Sequence, residues 1–297
     1  MTIRRILMWF GKVRRHEFTP RQLMALGVLF LAMLVVAIAR FPSERVADIR
    51  VVPGILAVLL APTTLVANAQ SYRAQAQLIR IRIPWRDAVR ITLLGSAANL
   101  LPVPGAVVVR TADLVDRGAD TKGAAGTTGV GALAWLGLSF LCAAPTLLWR
   151  GSWSAWPVLL AAIVTLALSA IGSIRLGGSV HDWMVVALAS GGLVVALAAR
   201  YVLLVWALGF DPGGSALALV AVGALSSAAG FFPGGIGLRE VLAGITATLV
   251  DLPAAVGILV AAIDDIAWIA TVAVGVIFTE AGRSFRTSLA RASASEQ

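Results

Sequence analysis

The chain has 297 residues, of which 59% are hydrophobic and only 13% charged, with a mean hydropathy of +0.90. Soluble domains average about 45–50% apolar and about 25% charged residues, so water-soluble domains are excluded; the apolar runs are also too long for the short alternating strands of a membrane β-barrel. The net charge of +9 would suggest nucleic acid in a soluble protein, but here the arginines flank hydrophobic runs, as expected for loops retained on the cytoplasmic side of a membrane, and no nucleic-acid partner is expected.

Residues 1–21 carry Arg4, Arg5, Lys12, Arg14, Arg15 and Arg21 against Glu17 alone. They read as a basic cytoplasmic segment attracted to anionic lipid. The apolar run 22–39 is too long for a signal-peptide core and lacks a following small-x-small site, so a retained first span, running inside to outside, is expected. After a short outer loop from Arg40 to Arg50, a second span covers about 51–70. Pro53 sits in its first turn and Pro62 should kink it. Arg73, Arg80, Arg82, Arg86 and Arg90, interleaved with Ile79, Ile81, Ile83 and Trp85, suggest an interfacial cytoplasmic segment; a solvated basic loop is the alternative. Residues 91–101 are apolar but too short to cross about 30 Å of hydrocarbon. They end at Leu100-Leu101-Pro102-Val103-Pro104-Gly105, and a second short piece leads to Arg110, Asp113, Asp116 and Arg117. Two half-length helices around Pro-x-Pro-Gly suggest a re-entrant hairpin, one kinked full span being the other reading.

A third span is expected at 124–149, with Gly129 and Gly131 allowing close helix approach. Trp149, Trp153 and Trp156 around Arg150 form an aromatic belt at the outer interface. The fourth span (155–173) returns to Arg175 and His181, and the fifth (183–208) leads out to the turn Gly209–Gly214. Residues 215–232 re-enter and break at Gly230-Phe231-Phe232-Pro233-Gly234-Gly235-Ile236-Gly237-Leu238-Arg239-Glu240. Residues 238–250 lead back out to Asp251-Leu252-Pro253, and a last span covers 254–279 before the basic tail. The expected fold is therefore an all-α polytopic membrane protein with about six full spans, two re-entrant broken-helix hairpins and both termini cytoplasmic, in the plasma membrane of a bacterium. In domain terms, 1–21 is the basic segment, 22–280 a single transmembrane domain and 281–297 a polar tail.

The two breaks resemble each other. Ser96-Ala97-Ala98-Asn99-Leu100-Leu101-Pro102 aligns with Ser227-Ala228-Ala229-Gly230-Phe231-Phe232-Pro233 at an offset of 131 residues, each followed by glycine and then by Arg110 or Arg239. With one hairpin entering from each side, this is the pattern of inverted-repeat transporters, whose broken helices meet at the substrate site. Helix ends leave N–H groups free for anions, glycine lets backbone approach a ligand, and arginine can grip a phosphate with two parallel bonds. Asn99, Pro102, Gly105, Arg110, Pro233, Gly234, Gly235, Gly237, Arg239 and Glu240 are accordingly the expected substrate-binding residues. The bland alternative is that the glycines serve packing and Arg239 pairs with Glu240 or a distant acid. Asp113, Asp264 and Asp265 are candidate counter-charges or coupling groups. Asp264 and Asp265 diverge by about 100° on a helix, so they are not expected to share one partner. One should pair with Arg239 or Arg110, and the other could titrate and couple transport to protons; a buried salt bridge fixing helix register is the alternative. Cys142 stands alone, which excludes an internal disulfide, and His16 and His181 lack second ligands at zinc spacing, so neither metal nor cofactor is expected.

The stretch Phe232–Glu240 resembles the P-x-GG-[IL]-G-x-x-E signature of the lysylphosphatidylglycerol synthetase transmembrane-region family, the flippase-like domain. Tyr72-Arg73, Asn99-Leu100-Leu101-Pro102 leading to Arg110, and Ala207-Leu208-Gly209 extend the similarity over about residues 50–280. The resemblance implies a flippase-like domain; in related proteins such a domain moves aminoacylated phosphatidylglycerol between leaflets. This chain departs from that pattern. It is expected to be a stand-alone member without an aminoacyltransferase domain, it lacks the arginine usual near Gly129, and it has Asp264-Asp265 where a basic residue is common. The expected function is movement of an anionic, phosphate-bearing lipid (a phospholipid or an isoprenoid-linked one) between leaflets, without enzymatic chemistry. A non-transporting scaffold of an envelope-synthesis complex, or an intramembrane lipid-glycan transferase, are the alternatives. The partners would be anionic membrane lipids, with a homo-oligomer or an envelope enzyme as further candidates.

Overall fold

The computed structural model describes residues 20–99, 104–228 and 235–294, and every regular element among them is helical. The helices are α1 (Pro20–Ala39), α2 (Val51–Leu59), α3 (Ala61–Leu78), α4 (Trp85–Ala98), α5 (Gly105–Asp116), α6 (Thr121–Trp149), α7 (Ala155–Arg175), α8 (Val180–Ala207), α9 (Ser215–Ala218), α10 (Val220–Ala228), α11 (Leu238–Thr248) and α12 (Ala254–Ala294). Five stretches are long and apolar enough to cross a membrane: Val51–Leu78, Thr121–Trp149, Ala155–Arg175, Val180–Ala207 and Ala254–Thr279. At about 1.5 Å per residue each spans roughly 30 Å or more. Much of their outward surface is aliphatic and exposed, including Leu188, Val195, Leu160 and Ile163, which fits a lipid-facing exterior for an integral membrane protein.

The connections gather at two ends. At one, the Arg50 N–H donates to the Ala207 carbonyl at 2.8 Å and the Arg45 guanidinium lies 5.5 Å from the Phe210 ring centroid. Thr146 Oγ1 donates to the Gly214 carbonyl at 2.9 Å, and Arg150 pairs with Asp251 at 2.7 Å. Trp149, Trp153 and Trp156 stand out around this end, 90%, 80% and 68% exposed. At the other end Arg117 pairs with Asp87 at 2.9 Å, and Arg80 approaches Asp182 at 4.0 Å.

Three local expectations change. The second long helix continues to Leu78 rather than ending near residue 70, because Thr64, Asn68, Ser71 and Gln75 are turned into the protein instead of toward lipid. Its bend falls at Leu60, between α2 and α3, which puts Pro62 in the first turn of α3, where its missing N–H is no loss. The basic stretch 73–90 is not one interfacial segment. It is the end of α3, a turn through Arg80 in the left-handed region (φ 62°), and the start of α4, held together by Arg73, whose Nε donates to the Ile83 carbonyl and whose guanidinium lies over the Trp85 ring. Of the two glycines expected to bring helices together, Gly131 does so, against Gln75 of α3, whereas Gly129 has nothing within 4 Å of its Cβ position.

One order of elements recurs along the chain, and the two stretches that share it form two units. Val51–Leu78 and Val180–Ala207 each have 28 residues. Each is followed by a pair of short helical arms and then by a long helix, α6 or α12. Tyr72 and Tyr201, the chain's only two tyrosines, are 129 residues apart, and so are Arg110 and Arg239. Trp135 and Trp268 occupy the same position, the fifteenth, in α6 and α12. In the first unit the arms turn back on each other. A Cβ on Gly105 would sit 2.3 Å from the Ala98 carbonyl carbon, and one on Gly95 would sit 3.1 Å from the Ala106 Cα. Only glycine allows backbone that close. In the second unit Gly235 lies against the Ser226 side chain, 3.3 Å from its Oγ at the Cβ position. α7 stands between the two units and packs on α6.

Candidate functional site

A cavity of about 400 Å³ lies where the two units face each other. The first arm pair lines it with Ser96, Asn99, Pro104, Ala106, Val107 and Arg110, and the second with Gly223, Ala224 and Arg239. The long helices add Thr64, Asn68, Ser71 and Gln75 from α3, Trp135 from α6, Arg200 from α8, and Asp264 and Trp268 from α12. Both sequence breaks therefore contribute to one space.

The first arm pair is fastened by Asn99, whose Oδ1 accepts from the Ala106 N–H at 2.7 Å. That bond closes the turn and caps the start of α5, a helix whose first N–H groups have no internal partner. Arg110, one and a half turns on, is 9% exposed. Its Nη2 donates to Asn68 Oδ1 at 2.7 Å, its guanidinium lies 5.2 Å from the Tyr72 ring centroid, and its Nε has no partner. No carboxylate pairs with it among the described residues. Asp113 is committed elsewhere: it accepts from Tyr72 Oη at 2.6 Å and from Arg117 Nε at 2.8 Å, and it is not part of the cavity wall.

In the second pair, Gly235 and Gly237 have φ of 79° and 88°, a region that side chains other than glycine's rarely tolerate. Glu240 reaches back so that its Oε2 accepts from the Gly237 N–H at 2.6 Å. It is the acidic cap of α11, favoured by the helix dipole, and it does not pair with Arg239. Arg239 instead donates to Asp264, to Asp265 and to Tyr201 Oη. This corrects the expectation that the two adjacent acids could not share a partner. The 100° divergence is real, but the arginine fork is wide enough to take one carboxylate on Nη1 and the other on Nη2. Pro102, Pro233 and Gly234 lie outside the described residues.

Arg200 was not anticipated. It is 1% exposed, pairs with Asp264 at 2.5 Å and donates to Thr64 Oγ1 at 3.2 Å. Its signal was a lone arginine near the end of an otherwise apolar run, which defaults to a functional or pairing role. The second omission is the polar stripe Thr64-Asn68-Ser71-Gln75, whose spacing of four, three and four puts all four on one helix face.

Arg200 and Arg239 face Asp264 and Asp265, with the buried Glu240 carboxylate beside Asp265 and bound to the Gly237 N–H. Buried charges persist when paired, and both aspartates are paired with arginine. Arg110 is left as a cation at the cavity wall, softened only by an amide oxygen and a tyrosine ring. Such a site favours an anion. The chain matches no known protein-family model and no curated protein.

Proposed function

We propose that this protein moves an anionic, phosphate-bearing lipid between the leaflets of a membrane, with the cavity between the two units as the headgroup site. The observation that carries the proposal is Arg110: a guanidinium nine-tenths buried, facing a cavity formed by both broken segments, without a carboxylate partner. A phosphate would complete its fork with charge-assisted hydrogen bonds. The doubled architecture supports the same reading. Each arm pair starts and finishes beside loops of one end, so we read both as re-entrant hairpins entering from opposite faces. The units then form an inverted repeat, the arrangement from which alternating access follows. The resemblance of Phe232–Glu240 to the flippase-like domain family belongs to this proposal. A scaffold role has less support, because docking requires no polar cavity with a bare cation.

The test is a proteoliposome assay with acyl-labelled fluorescent phosphatidylglycerol, in which a membrane-impermeant quencher reports the leaflet. The wild-type chain should move the lipid, and Arg110→Gln should reduce the rate at least tenfold, the loss of one charge-assisted phosphate contact of about 1.5–3 kcal/mol. Failure to move any anionic lipid, or an Arg110→Gln variant as fast as wild type, would refute the proposal.

A further inference from the structure

The cavity holds more than a cation. Gln75 is 3% exposed, and its Oε1 has no hydrogen-bond partner; the indole N–H of Trp135 is likewise buried without one. Buried polar atoms are ordinarily satisfied, so two orphans in one cavity wall call for an explanation. Asn68 and Asn99 use their side-chain oxygens on Arg110 and on the Ala106 N–H, and each carries an amide NH2 donor group at the cavity wall. Trp135 and Trp268 also give the wall two flat apolar faces.

Resting on the lipid-transport reading, we infer that the cavity selects a phosphate ester whose headgroup carries neutral hydroxyls, a glycerol or a sugar, and rejects headgroups carrying an amine. A phosphate uses Arg110 and the Asn68 and Asn99 amide donors. A hydroxyl both donates and accepts, so it can satisfy the Gln75 oxygen and the Trp135 N–H together, with its carbon skeleton against an indole face. An ammonium has no such fit. It offers donors only, finds hydroxyl and amide oxygens but no uncommitted carboxylate, and shares the cavity with Arg110. Asp264 and Asp265, the carboxylates that could neutralise it, are already bound by Arg200 and Arg239. Releasing one would strand a buried arginine. The discrimination is thus built from where the acids are committed as much as from the groups left open.

The test uses the purified full chain in detergent and measures binding of four probes by titration calorimetry: dioctanoyl phosphatidylglycerol, dioctanoyl phosphatidic acid, dioctanoyl phosphatidylethanolamine and water-soluble glycerol 3-phosphate. Phosphatidylglycerol should bind at least tenfold more tightly than phosphatidylethanolamine. Gln75→Leu should weaken phosphatidylglycerol roughly fivefold to tenfold, one to two hydrogen bonds' worth, and leave phosphatidic acid unchanged. Trp135→Phe, which keeps the ring and removes the N–H, should act in the same direction and covers the case in which Gln75→Leu fails to fold. Equal or tighter binding of phosphatidylethanolamine, or equal loss of phosphatidylglycerol and phosphatidic acid in both variants, overturns the inference while leaving anionic-lipid transport standing. Binding of neither anionic lipid overturns the transport reading and the inference with it. Glycerol 3-phosphate binding as tightly as phosphatidylglycerol would keep the hydroxyl selectivity and remove the lipid from it.

Discussion

Arg239→Ala is the sharpest test of the charge balance between α8, α11 and α12. In the intact chain two guanidiniums meet two carboxylates, all nearly buried. Removing Arg239 leaves Asp264 with Arg200 and leaves Asp265 without a cation. Breaking a buried pair from one side costs about 3–5 kcal/mol. Asp264 keeps Arg200, so only one carboxylate is stranded and the lower figure applies. Thermal unfolding of the detergent-solubilised protein, followed through its nine tryptophans, should show a midpoint lowered by roughly 6–12 °C, at about 2–4 °C per kcal/mol for chains near this size. Adding Asp265→Asn restores one cation to one carboxylate, and the double variant should recover at least half the loss. Independent sites would instead add. A double variant less stable than Arg239→Ala, or a single variant indistinguishable from wild type, would refute the pairing logic on which the identification of Arg110 as the uncompensated cation depends.

Other consequences are equally open to measurement. Gly105→Ala should prevent folding or lower the unfolding midpoint by at least about 10 °C, a core clash with rigid backbone being worth several kcal/mol, because its Cβ would overlap the Ala98 carbonyl; Gly129→Ala, with open space around it, should leave the midpoint unchanged in the same assay. Tyr72→Phe should keep anion binding while destabilising the fold by about 1.5–3 kcal/mol through the lost hydrogen bond to the Asp113 carboxylate, which keeps Arg117, whereas Tyr72→Leu should also weaken phosphatidylglycerol binding by removing the ring under Arg110; equal binding losses in both variants would contradict the separation. In a Cys142→Ala background, a membrane-impermeant maleimide applied to intact cells should label Trp153→Cys, and should label Arg175→Cys only after permeabilisation. The reverse pattern would overturn the proposed orientation.

The long helices were legible because a lipid-facing exterior forces long apolar runs with charges at their ends. The breaks were legible because proline and clustered glycine have few other reasons to occur there. What escaped was whatever needed a partner in space. Arg200 sits in a run that hydropathy treats as one span, and its acid, Asp264, is 64 residues away. The α3 stripe was masked by nearby arginines that suggested an interface, though its helical spacing was visible. The shared grip of Arg239 on adjacent aspartates was missed because the angular argument considered the helix and not the breadth of the arginine fork. The repeat was seen at the breaks with an offset of 131, while the tyrosine and arginine pairs share an offset of 129, a two-residue difference that connections of unequal length absorb.

The seam between α11 and α12 has a kinetic consequence. A Cβ on Gly257 would lie 2.2 Å from the Ala243 carbonyl oxygen, so these helices touch backbone to backbone, and Arg239 travels with Asp264 and Asp265, while Arg200 of α8 supplies the second cation of that cluster. Displacing these paired charges together exposes less charge than moving any one of them alone. Arg110, on α5, has no companion of its own and would move as a bare cation whenever the cavity is empty, at a cost of several kcal/mol. On the transport proposal, a carrier built this way would reorient readily when loaded and slowly when vacant. It should behave as an exchanger, with headgroups waiting in the opposite leaflet accelerating the flux of labelled lipid, and a flux indifferent to the composition of that leaflet would show that the empty step is not limiting.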